Sequence, residues 1–199
     1  LLLYSSDYVF DGTKGSPYVE ADATNPRNIY GKTKLAGEQA AAQAERYLTF
    51  RTSWVYSTRS GGFVSKVLEW VKTRTELRIV DDQIGSPTWS RNLAEVTGQL
   101  ISRYSIDRTW LEERSGLYHL AGAGSVSRYE WVKEILRLSG REDIKVVPAK
   151  TVEFPTPALR PMNSGLDCGR LERKLLIPLP DWKINLAQCL EFLRNAFSD

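Results

Sequence analysis

Apolar and polar positions fall into blocks along this chain, and the blocks read as strands and helices in turn. The run Leu1-Leu2-Leu3-Tyr4, closing on Ser5-Ser6, predicts a strand over 1–6. Asp7-Tyr-Val-Phe-Asp-Gly12 reads as a turn leaving it, with Asp11-Gly12 as punctuation, and 13–28 as an ordered loop. The Ala-rich stretch that follows predicts a helix over 30–46. Positions 47–56 are rich in β-branched and aromatic residues and predict a strand. Phe63, Val67, Trp70 and Val71 recur at helical spacing and predict an amphipathic helix over 63–72. The same reasoning predicts strands over 77–80, 116–121 and 144–147, and helices over 91–104, 129–138 and 182–197. Strands alternating with helices mean an α/β fold with a largely parallel sheet. Such sheets bind ligands beyond the carboxyl ends of their strands. Here those ends are Ser5-Ser6-Asp7 and Trp54-Val55-Tyr56.

Composition narrows the classes. With 199 residues, 42% of them hydrophobic and 26% charged, the chain is long enough to bury a core without staples, as one domain or a tightly joined pair. The net charge of +3 is spread among interspersed signs, which argues against nucleic-acid binding. No apolar run approaches the ~18 residues of a membrane span. Leu1-Leu2-Leu3 lacks a basic flank and a cleavage site, so it is not read as a signal peptide. A strand that opens at residue 1, with Leu rather than Met, gives the expectation that the protein begins earlier. Cys168 and Cys189 are too few for a disulfide framework and lack metal-site spacing, which favours a reducing compartment. His119 is the only histidine, and its apolar strand favours a satisfied core residue over a catalytic one.

The candidate chemistry lies in Tyr30-Gly-Lys-Thr-Lys34. On a helix, positions i and i+4 share a face. A free phenol holds its proton to a pKa of about 10, and a nearby ammonium favours the phenolate. Such a pair is suited to protonating a carbonyl oxygen as hydride reaches its carbon. The spacing alone says little, because roughly half a match is expected by chance in a chain of this composition. Tyr129-Glu-Trp-Val-Lys133 matches too, but it lies in an amphipathic helix and reads as packing. Tyr30 instead opens the helix that follows the Ser5-Ser6 strand end, where a hydroxyl can bind the same carbonyl. Spacing and context leave two readings of Tyr30 and Lys34: an acid/base pair, or a helix-start aromatic beside a solvated charge.

Tyr4-Ser-Ser-Asp-Tyr-Val-Phe-Asp-Gly12, Asn25-Pro26 and Asn28-Ile-Tyr-Gly-Lys-Thr-Lys-Leu-Ala-Gly-Glu38 resemble the dTDP-4-dehydrorhamnose reductase family, within the extended short-chain dehydrogenase/reductase superfamily. The likeness continues in order through Arg51-Thr-Ser-Trp-Val-Tyr56, Asp82-Gln-Ile-Gly-Ser-Pro-Thr88, Gly116-Leu-Tyr-His-Leu120, Arg160-Pro-Met-Asn-Ser164 and Leu179-Pro-Asp-Trp182. It implies the C-terminal part of a Rossmann-like doubly wound parallel sheet with a small α/β substrate-binding domain. The cofactor-binding part is then 1–57 and 91–124, and the substrate-binding part 58–90 and 125–199. The implied reaction is reduction of the C4 ketone of a dTDP-4-keto-6-deoxy sugar by NADPH or NADH.

The resemblance also implies roles for single residues. Ser6, Tyr30 and Lys34 form the catalytic set, with Ser6 where the family usually has Thr. Tyr30, Lys34 and Ser5 meet the cofactor. Ser6, Asp7, Val9, Phe10, Trp54, Arg160 and Asn163 meet the nucleotide-sugar substrate. Phe10 and Trp54 also read as core aromatics, and Arg160 as half of a structural ion pair. Some members bind Mg²⁺ through interface glutamates. Arg91 stands where one is expected, so no such metal site is predicted. The implied protein is a cytoplasmic monomer or homodimer with no membrane or nucleic-acid partner. One departure is large: the family's Gly-rich pyrophosphate turn is absent from these residues, and Gly61-Gly62 and Gly122-Ala-Gly124 do not replace it. These residues alone are therefore expected to be poorly active. Two alternatives remain: an epimerase or dehydratase of the same superfamily, with Asp7 as a further acid/base, and a non-catalytic subunit like the reductase-like β subunit of methionine adenosyltransferase.

Overall fold

A computed structural model describes residues 1–59 and 61–196. In its first half the elements are β1 (Leu2–Ser6), a 3₁₀ turn (Asp7–Val9), α1 (Ile29–Ala41), β2 (Leu48–Thr52), β3 (Val55–Tyr56), α2 (Phe63–Trp70) and β4 (Glu76–Val80). There follow β5 (Ile84–Gly85), β6 (Thr88–Trp89), α3 (Ser90–Ile106), α4 (Arg108–Glu112), β7 (Gly116–His119) and β8 (Val126–Ser127). The chain continues through α5 (Arg128–Leu138), β9 (Lys145–Ala149), a 3₁₀ turn (Thr151–Glu153), α6 (Gly169–Leu175) and α7 (Trp182–Ala196).

A parallel three-stranded sheet in the order β1-β2-β7 organises the first core. Leu2 pairs with Leu48 and Leu48 with Gly116, so β1 and β2 end together at Ser6 and Thr52, and β7 ends one position earlier at His119, opposite Arg51. Parallel strands are covered on both faces. Here Phe50, Tyr118, Leu120 and Phe10 meet Leu93, Val96 and Leu100 of α3 and Leu171 and Leu175 of α6. A second core gathers Val64 and Val67 of α2, Leu77 and Ile79 of β4, Trp131, Val132 and Ile135 of α5, and Leu186 and Leu190 of α7. Parallel pairs β3-β6 and β4-β9 and the antiparallel pair β5-β8 join the two. No helix among the described residues is long and apolar enough to cross a membrane.

The architecture is the α/β, Rossmann-like one that the sequence predicts, with corrections at particular elements. The helix expected over 30–46 ends at Ala41. The chain must turn there for β2 to run beside β1, and the turn is tied by Leu48 N–H to the Leu1 carbonyl and by the Leu1 backbone nitrogen to the Arg46 carbonyl. The single strand expected over 47–56 is two strands. Trp54 takes a left-handed backbone conformation with φ 44° and sends β3 out of the central sheet to pair with β6. The short elements β5, β6, β8, α4 and α6 carry too few residues to show a period. The last turn of α6 depends on distant groups: Arg103 and Arg114 donate to the carbonyls of Leu175 and Lys174, which otherwise lack partners. Phe197, the last position of the predicted terminal helix, lies outside the described residues.

Candidate active site

The site forms where β1 ends. Ser5 and Ser6 are buried at its last two positions, and the chain turns at once into Asp7–Val9. The Ser6 hydroxyl caps that turn by accepting from Tyr8 N–H at 3.2 Å, and it donates to Asp7 Oδ1 at 3.0 Å. Gly31 lets α1 lie directly on the turn, since a Cβ there would come within 2.1 Å of the Tyr8 carbonyl oxygen. Asn28 caps α1 by accepting from Gly31 N–H at 2.8 Å. Its amide donates to the Leu159 carbonyl at 2.8 Å, which brings the Arg160 segment to the start of the helix.

Tyr30 therefore sits above the β1 end, 51% exposed and edge-on to Tyr8 with ring centroids 5.6 Å apart. Among the described residues its phenol makes no hydrogen bond. Lys34 follows one turn later, its Nζ 5.8 Å from the Tyr30 ring centre and donating to the Tyr4 carbonyl at 3.2 Å. Ser6, Tyr30 and Lys34 are thus gathered at one place. Ser5 is buried just beneath them and donates its hydroxyl to Glu38, which is clamped in turn by Arg51 at 2.9 and 2.7 Å.

Asp7 is buried and accepts from Ser53 Oγ at 2.8 Å as well as from Ser6. Burial pushes its carboxyl above the usual carboxylate range, while Ser164, Ser53 and Ser6 and the charge of Arg128 pull the other way. Val9 and Phe10 are fully buried in the first core. Phe10 stacks on Tyr18 with centroids 4.1 Å apart, under the guanidinium of Arg51. Their side chains hold the turn in place. Trp54 is half-buried. Its indole crosses Gly85, where a Cβ would come within 2.2 Å of the ring, and stacks on Trp131. Asn163 is a tie between loops, donating to the Lys14 carbonyl at 2.8 Å and accepting from Gly165 N–H at 3.1 Å. Arg160 is exposed and makes no ion pair among the described residues, which leaves the structural-pair reading without a partner there.

His119 is a core residue. It is fully buried, its Nδ1 lies 3.1 Å from the Asp167 carbonyl, and burial together with the nearby charge of Arg51 draws it down to about 4. Tyr129 packs against the second core beside Lys133. Arg91 pairs with Glu95 along α3.

Four participants carried no sequence signal strong enough to single them out. Tyr8 lies in the fields of Arg160, Asp7, Arg128 and Tyr30. Ser53 and Ser164 surround Asp7. Arg128 opens α5 and lies 3.7 Å from the Trp54 ring centre. Tyr8 was the most accessible of these, since it sits inside the turn already suspected.

Comparison with known proteins agrees with this geometry. The family model for the RmlD substrate binding domain matches residues 1–195. A dTDP-4-dehydrorhamnose reductase of Burkholderia thailandensis is 40% identical over 198 residues, covering 96% of this chain and 66% of the relative. A crystal structure of a dTDP-4-dehydrorhamnose reductase from Clostridium acetobutylicum superposes with a TM-score of 0.86 at 38% identity, over 97% of this chain and 65% of that one. The Bacillus anthracis dTDP-4-dehydrorhamnose reductase in complex with NADP gives 0.85 at 33% identity, over 96% and 65%. The chain thus spans just under two thirds of the length of these relatives.

Proposed function

The chain belongs to the RmlD substrate binding domain family, and from that premise we propose that the protein carrying it reduces the C4 ketone of a dTDP-4-keto-6-deoxy sugar. The observation that carries the reading is the unbonded phenol of Tyr30, exposed above Ser6 and one helical turn from Lys34. The NADP-bound relative supports the choice of cofactor. The donor set here fits that group: an unbonded phenol and an ammonium whose only hydrogen bond among the described residues is to the Tyr4 carbonyl. Tyr30 and Lys34 would hold it, with Ser5 beneath.

A reduced nicotinamide, when bound there, would supply the hydride. Tyr30 gives its phenolic proton to the carbonyl oxygen as C4 becomes tetrahedral, and the C=O becomes CH–OH. Lys34 stabilises the negative charge left on the phenol oxygen until solvent returns the proton. Ser6 turns its hydroxyl proton from Asp7 to the carbonyl oxygen, polarising it and fixing its direction. Asp7 and Trp54 border the sugar, and Arg160 meets the diphosphate.

The two cores support dividing the chain into a cofactor part, 1–57 and 91–124, and a substrate part, 58–90 and 125–199. Leu166, Leu171 and Leu175 return from the latter to pack on the former. Two buried free thiols suit a cytoplasmic protein, acting as a monomer or homodimer. The test is consumption of NADPH or NADH by the full protein with the dTDP-4-keto sugar. Stoichiometric loss of reduced cofactor supports a reductase. Product without net cofactor loss points to an epimerase or dehydratase, and no turnover to a non-catalytic subunit.

A further inference from the structure

We propose that Arg128 is a further substrate-binding residue, which with Arg160 forms a two-guanidinium seat for the diphosphate of the nucleotide sugar. The inference rests on the nucleotide-sugar reading above and deepens it.

The guanidinium of Arg128 lies 3.7 Å from the ring centre of Trp54, 4.6 Å from that of Phe63 and 5.4 Å from that of Trp131. Contacts this close are attractive and fix the plane of the group. They leave its N–H donors unused: among the described residues the side chain of Arg128 makes no hydrogen bond and no ion pair. Half-buried charges in folded proteins are ordinarily paired, because removing them from water is costly. The Asp7 carboxylate is no substitute. Asp7 feels the charge of Arg128 but is engaged by Ser6 and Ser53, and the two form no ion pair.

Arg160 likewise makes no ion pair among the described residues, and its segment is held at the start of α1 by Asn28, whose amide donates to the Leu159 carbonyl at 2.8 Å. Burial draws Arg128 down to about 10, and the charge of Arg160 adds to that effect. Two cations with no carboxylate partner among the described residues suit a ligand with two adjacent negative groups. Guanidinium forks match phosphate oxygens two at a time. The surroundings are built to hold the seat. Trp54 keeps a left-handed backbone at φ 44°, and Gly85 vacates the space its indole fills. Such backbone strain persists where the surroundings enforce it.

Calorimetric titration of the full protein with dTDP, inorganic pyrophosphate and thymidine tests the seat. Arg128→Met is expected to weaken dTDP and pyrophosphate at least tenfold and thymidine less than twofold. Arg128→Lys, which keeps the charge and serves if the Met variant does not fold, is expected to lose several-fold affinity for dTDP through loss of the planar fork. Pyrophosphate binding apart from dTDP separates a phosphate seat from a nucleoside pocket. Three results would overturn the proposal: dTDP binding within twofold of wild type in both variants, equal losses for thymidine and dTDP, or no binding of either phosphate ligand by the wild type. A protein that binds diphosphate through Arg128 yet reduces no keto sugar would leave the seat standing and remove the reductase reading.

Discussion

Arg51 and Arg128 are both drawn in from the surface, and the fold treats them in opposite ways. Arg51, with 4% of its side chain exposed, forks onto Glu38 at 2.9 and 2.7 Å, and Ser5 adds a donor to the same carboxylate. Arg128 lies against three aromatic rings, and no carboxylate among the described residues is in ion-pair contact with it. The Glu38–Arg51 pair spans α1 and β2 and locks the helix that bears Tyr30 and Lys34 to the sheet. Replacing one partner would strand a buried charge. Arg128 has no carboxylate partner among the described residues and lies against Trp54. A buried charge forked onto a carboxylate ties structure together here, and on the proposal above the one without a carboxylate is where a ligand completes the pairing.

The largest effect expected from perturbing either region falls on turnover. Tyr30→Phe should lower kcat by roughly 10²–10⁴-fold, the usual worth of a positioned acid, with the melting temperature nearly unchanged because the ring is half exposed. A kcat within a few-fold of wild type would remove Tyr30 from the mechanism. Next comes the contrast between the arginines, read by denaturant unfolding. Arg51→Met should destabilise by about 3–5 kcal/mol, the cost of breaking a buried pair from one side. Arg128→Met should stay within about 1 kcal/mol of wild type. Equal losses would erase the distinction.

The smallest effect is a pH dependence seated in the first core. Burial holds His119 neutral, drawn down to about 4 from the 6.5 of an unfolded chain. Above pH 6.5 neither state is protonated and the residue contributes no slope. As pH falls from 6.5 to about 4, the unfolded chain takes up a proton that the native state refuses. Stability then falls by about 3 kcal/mol over the window. Unfolding curves between pH 7 and 4 should show His119→Asn losing less stability on acidification than wild type. Identical slopes would mean that the imidazole is protonated in the native state.

What the sequence disclosed follows the range of the forces involved. The α/β alternation is legible because each strand and helix of reasonable length states its own period. Ser6, Tyr30 and Lys34 are legible because a strand end and the helix after it carry all three. Trp54 shows where local reading stops. Nothing beside it dictates a left-handed backbone; the conformation is held by Gly85 and Arg128, distant in sequence and adjacent in space. Arg128 was invisible for the same reason, since Trp54, Phe63 and Trp131 come from three separate segments. Phe10 could be read as core or site from its type alone, and only its burial against Tyr18 and Arg51 assigns its side chain to the core.

The central claim is net transfer of hydride to a sugar ketone, and an isotope label tests it most directly. The full protein is incubated with the dTDP-4-keto-6-deoxy sugar and with NADPH deuterated on the transferable side of the nicotinamide ring, and the product sugar is analysed by mass and proton resonance. The account predicts one deuterium on C4 for each cofactor oxidised. A product without deuterium, or a rearranged ketone with the cofactor still reduced, would contradict it.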